Sequence, residues 1–165
     1  MKMPNTSVIL ATKIGTNEIT ADVKRLDRFF RENNVVYEII LVGSSFTEKL
    51  LWEAKVYLAS YPIRVIKGRG RHGRGPQLRQ GVRNAKYSQI CILDADIKFS
   101  LEILLDPLRN TENSIKIGRR KESTPVCDIL IFDKTIFERL DLKSNLFEDE
   151  FLSKSKQAGY FITTI

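Results

Sequence analysis

Histidine occurs once in this sequence and cysteine twice, and neither falls in a recurring pattern. Cys91 and Cys127 each sit inside an apolar stretch, so they read as reduced core side chains rather than a disulfide. The one histidine, His72, lies in a loop and is assigned no role. No apolar run reaches the length of a membrane span, and the N-terminus lacks the apolar region of a signal peptide. The expected location is therefore cytoplasmic, with a peripheral place at the membrane surface left open. There is no internal repeat and no linker long enough to divide the chain, so its 165 residues are expected to form one domain, 1–165. The glycine-rich stretch from Gly68 to Gly75 does not close with Gly-Lys-Ser/Thr, which excludes a Walker A loop. It also does not follow the first strand, which excludes a dinucleotide fingerprint.

The net charge of +7 points to an anionic partner, and nucleic acid, phospholipid headgroups or phosphorylated small molecules would all satisfy it. Patterning is more specific. Ser7 to Ala11, Val35 to Val42, Ile63 to Ile66 and Ile90 to Leu93 are short apolar runs of the kind buried on both faces of a parallel sheet. Between them lie helical periods. Ile19, Val23, Leu26 and Phe30 follow Asn17 as N-cap, and Ser45 with Glu48 forms a capping box for a helix from Phe46 to about Ser60. Leu78, Val82 and Ala85 share a face of a helix that opens at Pro76. Ser100 is expected to cap a helix carrying Leu101, Leu104, Leu105 and Leu108, cut short near Pro107. Further strands are expected over 114–118, 126–132 and 160–165, with helices over 134–140 and from Phe147 to Ala158. Alternating strands and helices predict an α/β sandwich around a mostly parallel sheet.

Candidate chemistry gathers where strands end. The run Ile90 to Leu93 stops at Asp94-Ala95-Asp96, two carboxylates one residue apart. In an open α/β sheet, ligands bind at the carboxyl ends of the strands, and paired acids there suit a hard cation and the phosphates it carries. The same acids would equally serve to cap a helix or solvate a turn. The loop before Pro76 can lay backbone N–H groups and a helix N-terminus against phosphate, with Lys67, Arg69, Arg71, Arg74 and Arg79 adding charge. It lacks the interleaved aromatics that stacking on nucleic acid would need. Glu148-Asp149-Glu150 opens the last helix; acids there suit the helix dipole, and one could serve as a general base. Arg119 and Arg120 could grip a phosphate as forked donors or form a charged turn.

Taken in order, these segments resemble the family 2 glycosyltransferases with the GT-A fold, particularly the polyprenyl-phosphate sugar synthases. Ser7 to Thr12 resembles the opening strand and Tyr37 to Val42 the second. Gly73-Arg74-Gly75-Pro76 through Gly81 is similar to the family's Gly-Lys-Gly helix start, and Asp94-Ala95-Asp96 stands at its DxD motif. Ile117 to Arg120 resembles Ile-Gly-Ser-Arg, and Phe147 to Tyr160 resembles the acidic helix ending in Gly-Tyr. The resemblance implies a three-layer α/β/α GT-A domain and transfer of a sugar from a UDP- or GDP-linked donor. Mg²⁺ or Mn²⁺ would be held by Asp96 with Asp94. The donor would lie against Ala11, Thr12, Gly43, Gly73, Arg74, Asp94, Ala95 and Asp96, with Arg119 and Arg120 at its phosphates or at an acceptor's. Asp149 or Glu150 would deprotonate the acceptor, giving inversion at the sugar carbon; an acceptor that is itself a phosphate, such as a polyprenyl phosphate, needs no base.

Two places depart from the pattern. Where the family carries an acidic pair after the second strand, this chain has Gly43-Ser44-Ser45, and Lys13-Ile14-Gly15 intervenes before Asn17-Glu18. The chain stops after its last strand, where many of the family continue into membrane-associating helices. Two other readings stand beside transfer: a GT-A module that binds nucleotide or a partner without turnover, and a basic protein that binds nucleic acid through the loop from Lys67 to Arg79. No nucleic acid is expected on the favoured reading, and the sequence leaves the oligomeric state open.

Overall fold

A computed structural model describes residues 2–11, 16–43, 52, 55–56, 58–67, 73–95, 97–110, 113–119 and 127–165. The elements in chain order are β1 (Thr6–Ala11), α1 (Thr16–Glu32), β2 (Tyr37–Gly43), β3 (Ile63–Lys67), α2 (Arg74–Asn84) and β4 (Gln89–Asp94). A single 3-10 turn over Leu101–Leu104 then runs into α3 (Leu105–Arg109). β5 (Ser114–Gly118), β6 (Ile129–Asp133), α4 (Lys134–Glu138), α5 (Phe147–Gln157) and β7 (Phe161–Thr164) complete the chain. The strands form one seven-stranded sheet in the order β3-β2-β1-β4-β6-β5-β7. It is mostly parallel, as expected; β6 runs antiparallel to both β4 and β5.

Alternation along the buried strands makes three layers from this sheet. Val8, Leu10, Ile39, Leu41, Cys91 and Leu93 face α1 and the turn into α3, meeting Val23, Leu26, Phe30 and Leu104. Ile9, Ile40, Ile90 and Ile92 point the other way, to Leu78 and Val82 of α2 and to Phe147 and Phe151 of α5. Because both faces are covered, the central strands carry no polar alternation, which is why their sequences read as unbroken apolar runs.

Local departures from the sequence reading have local causes. α2 begins at Arg74, so Pro76 is its third residue, still within the first turn, where no backbone N–H is missed. Ser100 makes no side-chain cap; four residues of tight turn precede α3, which accommodates Pro107 by being only five residues long. β2 starts at Tyr37 and β6 at Ile129, later than the apolar runs begin. The end of α5 is as expected. Gly159 takes φ +88, its N–H donates to Lys156 O at 3.1 Å, and the Tyr160 N–H donates to Ser155 O at 3.0 Å, a Schellman closure. The helix expected from Phe46 falls largely outside the described residues. Among the described residues no helix is long and apolar enough to cross a membrane.

Candidate functional site

β1 is followed in space by β2 and β3 on one side and by β4 on the other, so the chain reverses its direction of travel between β1 and β4. The carboxyl ends of these two strands meet in register at Ala11 and Asp94. A crevice at such a switch point is where ligands bind in open α/β sheets. Asp94 is fixed there by its backbone, its N–H donating to Asp128 O at 3.2 Å, and Ala95 N–H donates to Ala11 O at 2.9 Å.

Arg74 reaches into this crevice from the first residue of α2. Its Nη1 forms an ion pair with Asp94 Oδ1 at 2.6 Å, and its Nε donates to Glu148 Oε1 at 2.8 Å. The side chains are 19% exposed for Arg74, 21% for Asp94 and 6% for Glu148. Burial, the strongest influence on Arg74, works against its charge. The carboxylates of Glu148 and Asp94 outweigh it and hold the guanidinium above its usual range. Among the described residues Arg74 Nη2 is buried without a hydrogen-bond partner, and Asp94 Oδ1 has only its ion pair with Arg74. A buried donor such as Nη2 normally has a partner, so this one calls for an explanation.

The start of α2 is held by backbone contact with the loop before α5. Gly75 N–H donates to Asn145 O at 3.1 Å, and a Cβ on Gly75 would lie 2.4 Å from that oxygen. Arg79 donates through Nη1 to the Ser144 carbonyl, tightening the same contact. Glu150 closes the loop from the other side, accepting from Lys143 N at 2.8 Å, Ser144 N at 2.7 Å and Lys154 Nζ at 2.9 Å. Burial pushes Glu150 up, but Lys154 and the two backbone donors outweigh it and keep its carboxyl below the usual value. Glu150 is thus engaged in holding the loop, whereas Asp149 is exposed at the start of α5.

Arg119 follows β5, half-buried, with Nε lacking a hydrogen-bond partner among the described residues. It stands by Cys127, whose thiol is raised by burial against the lowering effect of Arg119 and Arg74. Glu148 is also close enough to act on that thiol. Arg74, Glu148, Arg119 and Cys127 therefore share one pocket of charge at the sheet's carboxyl edge.

Of the residues expected from the sequence, Ala11, Gly43, Gly73, Arg74, Asp94, Ala95 and Arg119 all stand at strand ends or at the start of α2. Thr12, Asp96 and Arg120 lie outside the described residues, as does the loop 68–72 with His72. Among the described residues no group of three potential metal ligands converges. Asp94, the described carboxylate of the motif, already pairs through Oδ1 with the Arg74 guanidinium at 2.6 Å. Sequence reasoning named Glu148 only as one of three acids opening the last helix and missed its pairing with Arg74. The signal was its place beside Phe147 and two turns before Ser155, on the buried side of α5. Two clefts elsewhere do not compete. One of 340 Å³ lies between α1 and the 3-10 turn. Another of 540 Å³ lies at the amino ends of β2 and β3, where Glu38 is already taken up by Ser7, Arg64 and Lys86 N–H.

The family model described as Glycosyl transferase family 2 matches residues 17–152. No curated protein matches the sequence. Among solved structures the chain is similar to mannosyltransferase PcManGT from Pyrobaculum calidifontis in complex with GDP-Man and Mn²⁺. The TM-score is 0.76 at 17% identity, covering 99% of this chain and 55% of that one. Mannosyl-3-phosphoglycerate synthase from Rubrobacter xylanophilus gives 0.71 at 14% identity, covering 98% and 65%. Glucosyl-3-phosphoglycerate synthase from Mycobacterium tuberculosis, in complex with Mn²⁺, UDP and glucosyl-3-phosphoglycerate, gives 0.75 at 13% identity, covering 98% and 69%. The chain thus spans between 55% and 69% of the lengths of these proteins. The fold they share with it is GT-A.

Proposed function

This chain belongs to glycosyltransferase family 2, and from that premise we propose that it moves a sugar from a UDP- or GDP-linked donor to an acceptor. The observation that carries the reading is Arg74, lodged between Asp94 and Glu148 at the switch point with a buried N–H that has no partner among the described residues. The similar mannosyltransferase holds GDP-Man and Mn²⁺, and the similar glucosyl-3-phosphoglycerate synthase holds UDP and Mn²⁺, which supports a nucleotide donor and a divalent ion here too.

The donor's diphosphate lies at the carboxyl ends of β1 and β4, within reach of Arg74. A guanidinium fork suits that group because it can offer parallel N–H donors to two oxygens. Asp94 and Asp96 would hold Mg²⁺ or Mn²⁺, which neutralises charge building on a leaving diphosphate. In the transfer the bond from the sugar carbon to the diphosphate oxygen breaks, and the acceptor oxygen bonds to the opposite face of that carbon. Asp149, exposed at the start of α5, takes the proton of a hydroxyl acceptor. Where the acceptor is a phosphate, polyprenyl phosphate among them, it is already ionised, and Arg119 with Arg120 holds it.

Calorimetry with UDP and GDP, each with and without Mn²⁺, tests the reading directly. Metal-dependent binding that disappears in Asp96→Asn and weakens in Asp94→Asn is expected; no heat with either nucleotide under any condition overturns it. A module that binds without turnover is favoured by one observation, the lack of a carboxylate at Gly43-Ser44-Ser45. Nucleotide binding with no transfer or hydrolysis across a panel of donor sugars would establish that second reading.

A further inference from the structure

The residues on either side of Asp96 are tied to different elements. Upstream, Ala95 N–H donates to the carbonyl of Ala11 at the end of β1, at 2.9 Å. Downstream, Ile97 N–H points at the carboxylate of Asp22 on α1, 3.3 Å from each of its oxygens. One turn further along α1, Arg25 donates through Nη1 to Ile97 O at 2.5 Å and through Nη2 to Phe99 O at 2.9 Å. Asp22 and Arg25 are themselves 4.0 Å apart. Ile97 is buried against the α1 side of the core, so this stretch of backbone is fixed by packing as well as by polar contacts.

Stability alone is a weak reason for this arrangement. Asp22 is a carboxylate on a residue only 5% exposed, with the Arg25 guanidinium 4.0 Å away as counter-charge, and a buried ion pair is often no more stabilising than apolar residues of similar size. A loop needing only an anchor is held as well by a neutral amide or by packing. What the charged pair adds is direction. The carboxylate takes the N–H of residue 97, while the guanidinium fork takes the carbonyls of residues 97 and 99, so the donor and the acceptor of residue 97 are each aimed at a charge of the matching sign.

We infer that Asp22 and Arg25 are positioning residues of the donor site, holding residues 97 to 99 in place directly after the Asp94-Ala95-Asp96 motif. The inference rests on the donor-site reading proposed above. Outer partners that orient a ligating side chain typically change affinity about 10- to 100-fold when removed.

The test is calorimetric titration of GDP and UDP, with Mn²⁺ present, into the full chain and into Asp22→Asn, Arg25→Met and Arg25→Lys, with melting temperatures measured alongside. Arg25 has a side chain 44% exposed, so its replacement opens no cavity in the core, and the melting temperatures report any loss of fold. Ile136→Val, buried on α4 away from this segment, serves as a destabilised control. The expected result is nucleotide affinity lowered about 10-fold or more in Asp22→Asn and Arg25→Met, partial recovery in Arg25→Lys, and full affinity in Ile136→Val. Wild-type binding with unaltered affinity in the Asp22 and Arg25 variants overturns this inference alone. Absence of nucleotide binding by the wild type overturns the donor-site reading and this inference with it.

Discussion

Arg74 and Glu148 stand 74 positions apart in the chain, and their side chains meet at 2.8 Å, Nε to Oε1, at the carboxyl edge of the sheet. The contact joins the start of α2 to the start of α5, and the remaining fork of Arg74 reaches β4 through Asp94. One guanidinium thus balances two carboxylates. That arrangement ties three elements remote in sequence to one buried charge.

Removing Arg74 strips both acids of their counter-charge. Taking one partner from a largely buried ion pair costs on the order of 3 kcal/mol, so Arg74→Met should lower the melting temperature by roughly 6–12 °C. Adding Glu148→Gln should recover part of the loss, since the orphaned charge is then gone. A double-mutant cycle in urea reads the coupling; simple additivity would mean that the two side chains do not stabilise each other.

Asp149 and Glu150 should separate cleanly. Asp149→Asn is expected to lower kcat for a hydroxyl acceptor by about 10²–10⁴ with the melting temperature unchanged, the usual effect of losing a general base. Glu150→Ala frees the Lys143 and Ser144 N–H groups and should instead cost ~1–2 kcal/mol of stability. Full turnover in Asp149→Asn with such an acceptor would remove Asp149 from the mechanism.

At Gly75 the backbone leaves no room for a side chain. An Ala Cβ would meet Asn145 O at 2.4 Å and Ser144 O at 2.7 Å, both backbone atoms, so the loop itself must move. We expect Gly75→Ala to cost about 2–3 kcal/mol, the upper range for overpacking. Gly81→Ala meets only methyl groups of Ile9 and Val42, at 3.0 Å, and should cost less, about 1 kcal/mol. Chemical denaturation of the two variants ranks them; equal midpoints would refute the close approach at Gly75.

Acid should weaken the fold in part through Glu38, at the opposite end of the sheet. Burial, the strongest influence, pushes its carboxyl up, but the Ser7 hydroxyl, the Lys86 N–H and Arg64 outweigh it and hold it below the ordinary 4.5. The folded chain then binds this proton less tightly than the unfolded chain does. The contribution is complete above pH 4.5 and drains away as pH falls through the lowered folded value. Glu38→Gln should flatten the acid side of the stability curve between about pH 6 and pH 3 while lowering stability at neutral pH. An acid slope identical to that of the wild type would show that Glu38 does not titrate in folding.

The sequence by itself determined the layers and the tip of the central strand. Unbroken apolar runs such as Ile90–Leu93 are stable only between two covering layers, and a run that stops at Asp94 must put that acid at the sheet's edge. The same local logic located α1, α5 and the Gly159 closure, since caps and periodicity act within a few residues. Tertiary structure alone decided which charges meet. Glu148, Asp149 and Glu150 are three adjacent acids with one composition, yet one faces Arg74, one faces solvent and one holds a loop. Their roles differ because successive helical residues point about 100° apart, and what lies in each direction is set by α2 and the 143–145 loop, remote in sequence. Asp22 and Arg25 escaped notice for the same reason: their partners are backbone atoms of residues 97 and 99, and a backbone carbonyl leaves no mark in a sequence.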